Sequence, residues 1–278
     1  MSDKLKNFIV RAISGVVMFA VLLGATLLSK ATFALLLFAI MLGSELEFYR
    51  LAKKAGTSPQ SLIGLIAGSL MIAAAMAALY EIYAITIVAV AVFMLLIPLP
   101  LMFELYRKSE TPIANVGITY AGVIYAALPM ALLMFFPLIL GNGEWKPWSV
   151  IFYIFIIWAN DVFAYLFGIT LGKHRLFERI SPKKSWEGFF GGLLGAMVMG
   201  YVAAALLDAN VAMWIGLALI AAITGVFGDL VESLLKRSVD VKDSGNIIPG
   251  HGGWLDRFDA LIYSVPFAFM YLVIINCI

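Results

Sequence analysis

An all-α, polytopic integral membrane protein of about nine transmembrane helices is predicted by three features of the sequence. Of its 278 residues 63% are hydrophobic and 13% charged, and the mean hydropathy is +1.00, whereas a soluble domain is nearer half apolar and about a quarter charged. The apolar residues fall in long runs, each near the ~20 residues that cross a hydrocarbon core as a helix. Charge supplies the third feature. With nine spans and a cytoplasmic N-terminus, all of the 19 Lys and Arg except Lys30 and Lys146 lie on the cytoplasmic side, as the positive-inside bias requires. Eight or ten spans would spoil that bias.

The spans are placed near residues 9–28, 31–49, 60–80, 82–103, 116–140, 148–171, 187–207, 211–235 and 258–277. The first follows Lys4, Lys6 and Arg11 and lacks a small-residue cleavage site, so it reads as a retained helix. The second ends with Ser44, Glu45 and Glu47; these glutamates are expected to pair at the interface with Arg50, Lys53 or Lys54, the alternative being a polar cavity. The third and seventh carry Gly64-xxx-Gly68 and Gly191-xxx-Gly195, spacings that let helices approach closely. The fourth leads into residues 104–115, which read as a solvated loop of mixed charge. Pro129 and Pro137 predict a kink or break in the fifth.

The sixth span is interrupted by Asn160 and Asp161, groups that are expensive at that depth without partners. A polar loop follows, Gly172-Lys-His-Arg and then Ser181-Pro-Lys183-Lys184-Ser185-Trp-Glu187-Gly. Its Ser-Pro step favours a turn, and Ser185 and Glu187 open the seventh helix. Lys183 and Lys184 there make an anion site, since their charge adds to the positive helix end; ordinary inner-loop charge with capping is the plainer reading. If residues 211–237 form one helix, Asp229, Glu232, Ser233 and Lys236 fall at i, i+3, i+4 and i+7, on one face. Two acids so placed repel unless a cation lies between them.

Residues 229–259 concentrate the ionisable groups, with five Asp, one Glu, two Lys, two Arg and one of the chain's two His. Pro249-Gly-His251-Gly252-Gly253 is a flexible loop whose glycines permit positive φ and close approach to a ligand. Asp256 and Asp259 follow at the start of the last span; taken singly they would be ordinary helix caps. Hard oxygen ligands from two segments, beside cations and exposed amides, suit a Mg²⁺-bound polyphosphate. The single cysteine, Cys277, excludes an intrachain disulfide and a Cys-based metal site. No Walker loop is present, and the basic residues are inner-loop charges, not a groove for nucleic acid.

Ser233-Leu-Leu-Lys236-Arg237, four residues, Lys242-Asp243-Ser-Gly, and then His251-Gly252-Gly253-x-x-Asp256-Arg257-Phe-Asp259 resemble the signature of the phosphatidate cytidylyltransferase, or CDP-diacylglycerol synthase, family. Asn160-Asp161-x-Phe-Ala-Tyr-x-x-Gly and Ser-Pro-Lys183-Lys184-Ser185-Trp-Glu187-Gly are similar to a second block of that family. The resemblance is close over about residues 155–260 and covers the first half only as helix-rich background. It implies an enzyme that converts CTP and phosphatidate to CDP-diacylglycerol and pyrophosphate in the bilayer. The catalytic set would be Asp229, Lys236, Arg237, His251, Asp256 and Arg257. Asp229 and Asp256, with Glu232 or Asp259, would hold Mg²⁺ and allow for a second cation. Lys183, Lys184, Lys236, Arg237 and Arg257 would bind phosphate oxygens, and His251, Gly252 and Gly253 would close over the nucleotide. Asn160, Asp161, Ser185, Glu187, Ser233, Lys242 and Asp243 complete the expected substrate site.

Residues 1–145 are expected as a helical scaffold with room for homodimer contacts, and 146–278 as the catalytic part facing the cytoplasm from the cell inner membrane. A CTP-dependent transferase or kinase acting on another lipid is the nearest rival, and an ion-coupled transporter the rival from another class.

Overall fold

The computed structural model describes residues 3–247, 250 and 252–277, with side chains from residue 9 onward. His251, expected to close over the nucleotide, lies outside the described residues. Among these residues nine helical stretches are long and apolar enough to cross a membrane. The chain divides into two compact units, residues 1–134 with 238–258 and residues 135–237 with 259–278.

The first unit is built around α2 (Lys30–Lys54), which follows α1 (Asp3–Leu28) through a one-residue link. Ser29 caps α2 reciprocally: its hydroxyl accepts from Thr32 N at 3.1 Å, and Thr32 Oγ1 accepts from Ser29 N at 3.0 Å. α3 (Ser61–Leu79) is continuous, but the fourth span is two helices, α4 (Tyr83–Leu96) and α5 (Leu99–Arg107), divided at Pro98. Proline there lacks the amide that would continue the ladder. In the fifth span α6 (Pro112–Gly122) passes through a π-helical turn (Val123–Ala127) into α7 (Leu128–Leu133), with Pro129 in the first turn of α7. The expected break therefore takes the form of a widened turn, which accommodates the proline ring.

Phe33, Leu37, Met41 and Tyr49 of α2 are almost wholly buried. The Tyr49 hydroxyl lies 2.9 Å from Glu45 Oε1 and 2.7 Å from the Thr119 carbonyl. The interfacial pairing expected of Glu45 and Glu47 is not what forms. Both are fully buried, while Arg50, Lys53 and Lys54 are exposed on the outer arc of the same helix. Glu104 also departs from the expected solvated loop: it is buried near the end of α5. Its Oε1 accepts from Gln60 Nε2 at 2.9 Å and Arg107 Nη1 at 2.6 Å, and Arg107 also donates to the Ser58 carbonyl at 2.9 Å.

The second unit contains α8 (Phe136–Ile139), α9 (Trp148–Leu171), α10 (Trp186–Leu207), α11 (Val211–Arg237) and most of α12 (Leu255–Cys277). α9 and α10 pack along their lengths because α10 presents glycine: a Cβ at Gly191 would strike Phe167, and one at Gly195 would strike Phe163. Between these helices lies an antiparallel hairpin, β1 (Arg175–Phe177) and β2 (Ser181–Ser185), that pairs Arg175 with Ser185 and Phe177 with Ser181. The sequence suggests only a turn there.

Candidate active site

The last turns of α11 set the site. Helical spacing brings Asp229, Glu232, Ser233 and Lys236 to one face, and the side chains engage one another: Ser233 Oγ donates to Asp229 Oδ1 at 3.2 Å, and Lys236 Nζ lies 2.5 Å from Glu232 Oε2. One turn earlier Gly228 lets α12 come close, since a Cβ there would meet the Asp259 carbonyl and Tyr263 Cβ at 2.7 Å each. This approach carries Asp259 to the acids of α11. Asp229, Glu232 and Asp259 each offer an oxygen, all within 4.8 Å of one another. Glu232 is 1% exposed.

Two lysines already serve this cluster, Lys236 on Glu232 and Lys184 of β2 on Asp229 at 2.7 Å. Among the described residues no ion pair to Asp259 is formed; its Oδ1 accepts from Ala260 N at 2.7 Å. Three carboxylates drawn this close repel one another in surroundings where charge is weakly screened. Hard, closely spaced carboxylate oxygens are the donor set that divalent cations of the magnesium and calcium type prefer. The cluster can hold a metal ion.

Asp229 also forms part of the wall of a cavity of about 660 Å³, within the range of small-molecule sites. Asn160, Asp161, Arg175, Lys183 and Lys184 give it a polar, mainly basic side, and apolar residues of α9 and α10 line the remainder. Both lysines line the cavity, but Lys183 is exposed there while Lys184 is held by Asp229. The Asn160 side chain is 1% exposed, and its Oδ1 accepts no hydrogen bond among the described residues.

Other expected residues take local duties. Ser185 caps α10 by accepting from Gly188 N at 3.1 Å. Glu187 folds the start of the hairpin back, with its Oε1 2.6 Å from His174 Nδ1. The expected nucleotide loop belongs to the first unit. In it Lys242 and Asp243 are exposed, as are Arg237 before it and Arg257 after it, while Gly252 has φ +83°, a conformation natural to glycine. Asp256 Oδ2 accepts from Ser244 N at 2.9 Å and from Gly253 N at 2.8 Å, and it lies 2.9 Å from Ser244 Oγ, whose single proton is shared with Glu47. Its carboxylate thus ties both ends of the loop.

Two residues of these arrangements stand outside the site expected from sequence, Arg175 unassigned there and Glu47 expected to pair at the interface. Arg175 sits in a basic run that only the hairpin turns toward the cavity. Glu47 accepts from Trp254 N at 3.1 Å through Oε1, and from Leu255 N and Ser244 Oγ at 2.9 Å each through Oε2. A carboxylate inside an apolar helix was its one sequence signal.

A model described as the cytidylyltransferase family matches residues 9–275. The phosphatidate cytidylyltransferase of Bacillus subtilis is 33% identical over 269 residues, covering 96% of this chain and 98% of that protein. Those of Staphylococcus saprophyticus and Staphylococcus aureus are 45% and 46% identical over 119 residues, 42% of this chain and 46% of theirs. The family match runs from the first span to the last and takes in the acid cluster, the basic cavity and the glycine loop, and the chain belongs to the cytidylyltransferase family.

Proposed function

We propose that this chain transfers the cytidylyl group of CTP to phosphatidate, giving CDP-diacylglycerol and pyrophosphate, in the inner membrane and on its cytoplasmic side. The observation that carries this reading is the meeting of three carboxylates with a cavity that is basic on one side and apolar on the other. Such a cavity suits a phosphate headgroup whose chains remain in the bilayer.

In the reaction a phosphate oxygen of the lipid attacks the α-phosphorus of CTP. A new P–O bond forms as the α–β bridging P–O bond breaks, and its electron pair leaves on pyrophosphate. A phosphate monoester is already mostly ionised near neutral pH, so no side chain is needed as a base. The protein's task is to bring two polyanions together and hold them in line. Lys183 and Arg175 bind the lipid phosphate, Arg by a bidentate fork. Lys184 and Lys236, oriented by Asp229 and Glu232, take triphosphate oxygens, with Arg237 and Arg257 assisting. Asn160 and Asp161 meet the headgroup at the level of the hairpin. Lys242, Asp243, Gly252 and Gly253 face the nucleotide. Asp229, Glu232 and Asp259 would hold Mg²⁺, which supplies charge neutralisation to the triphosphate when bound. Asp256 acts by holding the loop.

The test is release of pyrophosphate by the purified protein given CTP, Mg²⁺ and phosphatidate. Release that depends on all three is expected. Release with a polyprenol phosphate or polyprenol as acceptor, and none with phosphatidate, would replace this reading by a transferase or kinase for another lipid.

A further inference from the structure

Glu47 is fully buried in α2, yet its partners come from residues about two hundred positions later in the chain. Oε1 accepts from Trp254 N at 3.1 Å, and Oε2 accepts from Leu255 N and Ser244 Oγ at 2.9 Å each. Both oxygens are therefore committed to donors on the loop between Ser244 and Leu255. Glycine makes the approach feasible. A Cβ at Gly253 or Gly245 would collide with the Glu47 carboxylate, and one at Gly43, a helical turn before Glu47, would collide with the Trp254 indole. Ser244 then connects Glu47 to Asp256, since its hydroxyl lies 2.9 Å from an oxygen of each.

We infer that Glu47 is a positioning residue of the transfer reaction, which holds Ser244, Trp254 and Leu255 at the two ends of the loop and so sets the affinity for CTP. The inference rests on the proposed reading that this loop faces the nucleotide. Only a group with two acceptor oxygens serves here. Glutamine has one acceptor, and whichever way its amide is turned an NH₂ group faces a backbone N–H, leaving a buried donor unpaired. Glu45, the other buried acid of α2, has a different partner, the Tyr49 hydroxyl at 2.9 Å, so the loop contacts belong to Glu47.

The experiment compares the unaltered protein with Glu47→Gln and Ser244→Ala in detergent. KM is measured separately for CTP and phosphatidate, and hydrogen exchange is followed along the chain. For Glu47→Gln the expected result is a KM for CTP raised about tenfold or more, with that for phosphatidate within about threefold. Exchange should quicken in the 238–254 peptides and stay unchanged in α9, α10 and α11. Ser244→Ala removes one of the three contacts and should give a smaller change of the same kind, which decides the matter if Glu47→Gln does not fold. Normal pyrophosphate release with unaltered KM values and unaltered loop exchange would overturn the positioning role alone. Equal loss of affinity for both substrates, with faster exchange throughout, would overturn it in favour of a purely structural role. No pyrophosphate release by the unaltered protein would overturn the functional reading itself.

Discussion

In the first unit Glu47 is met by two amides and a hydroxyl, and Glu104 by an amide side chain and a guanidinium. In the second unit Asp229, Glu232 and Asp259 instead face one another within 4.8 Å, with two lysines at the margin. A buried carboxylate that accepts from such donors stabilises their arrangement. Carboxylates turned toward each other repel even with lysines beside them, and a cation between them relieves that repulsion. The same residue type thus holds a loop or a helix end in one unit and forms a cluster able to take a metal ion in the other, and the partners decide which.

Three substitutions test that contrast. The largest effect is expected from Asp259→Asn, which exchanges a charged carboxylate of the cluster for a neutral amide with little change of shape. Turnover should fall by at least about 100-fold, with the protein still folded in detergent. Pyrophosphate release near normal, with an unchanged Mg²⁺ requirement, would take Asp259 out of the metal set.

A smaller effect of another kind is expected from Glu104→Gln. The Arg107 guanidinium loses its ionic partner and the network to Gln60 is broken, at a cost of about 1–3 kcal/mol. Unfolding in detergent should show this as a lowered Tm, with both KM values unaltered. A selective change in KM at full stability would erase the distinction between the units. The smallest effect is expected from Lys183→Ala. This lysine is exposed at the cavity and has no ion pair among the described residues, so folding should be untouched and KM for phosphatidate should rise by a few fold, on the order of 1 kcal/mol. Unchanged KM for both substrates would remove Lys183 from the anion site.

Residues close in the chain were well described by the sequence. The face of α11 that carries Asp229, Glu232, Ser233 and Lys236 follows from the 3.6-residue period, and its side chains engage as that period requires. Ser185 caps the helix it was expected to open. Glycine at 191 and 195 marks a close helix contact, and the structure adds the partners, Phe167 and Phe163. The hairpin was illegible for a plain reason: strands of three and five residues are too short for alternation to stand out from a charged loop. The two-helix form of the fourth span was hidden by continuous hydrophobicity across Pro98.

Glu45, Glu47 and Asp256 show where local reasoning ends. Basic residues adjacent in sequence made pairing with Arg50, Lys53 or Lys54 the natural expectation, but these fall on the outer arc of α2 while the glutamates turn inward. Asp256 has the spacing of a metal ligand, and the structure adds that its Oδ2 accepts from the backbone amides of Ser244 and Gly253, contacts that the spacing does not announce.

By itself, then, the sequence determined the class of fold, the number of spans and the residues on each helical face, because hydrophobic run length and helical period are local quantities. Only the tertiary structure decided which acids meet. Leu255 lies 208 residues from Glu47, and Asp259 joins Asp229 and Glu232 only where Gly228 lets two helices approach. Such pairings depend on how helices pack side by side, and a one-dimensional pattern of residues carries no record of that distance.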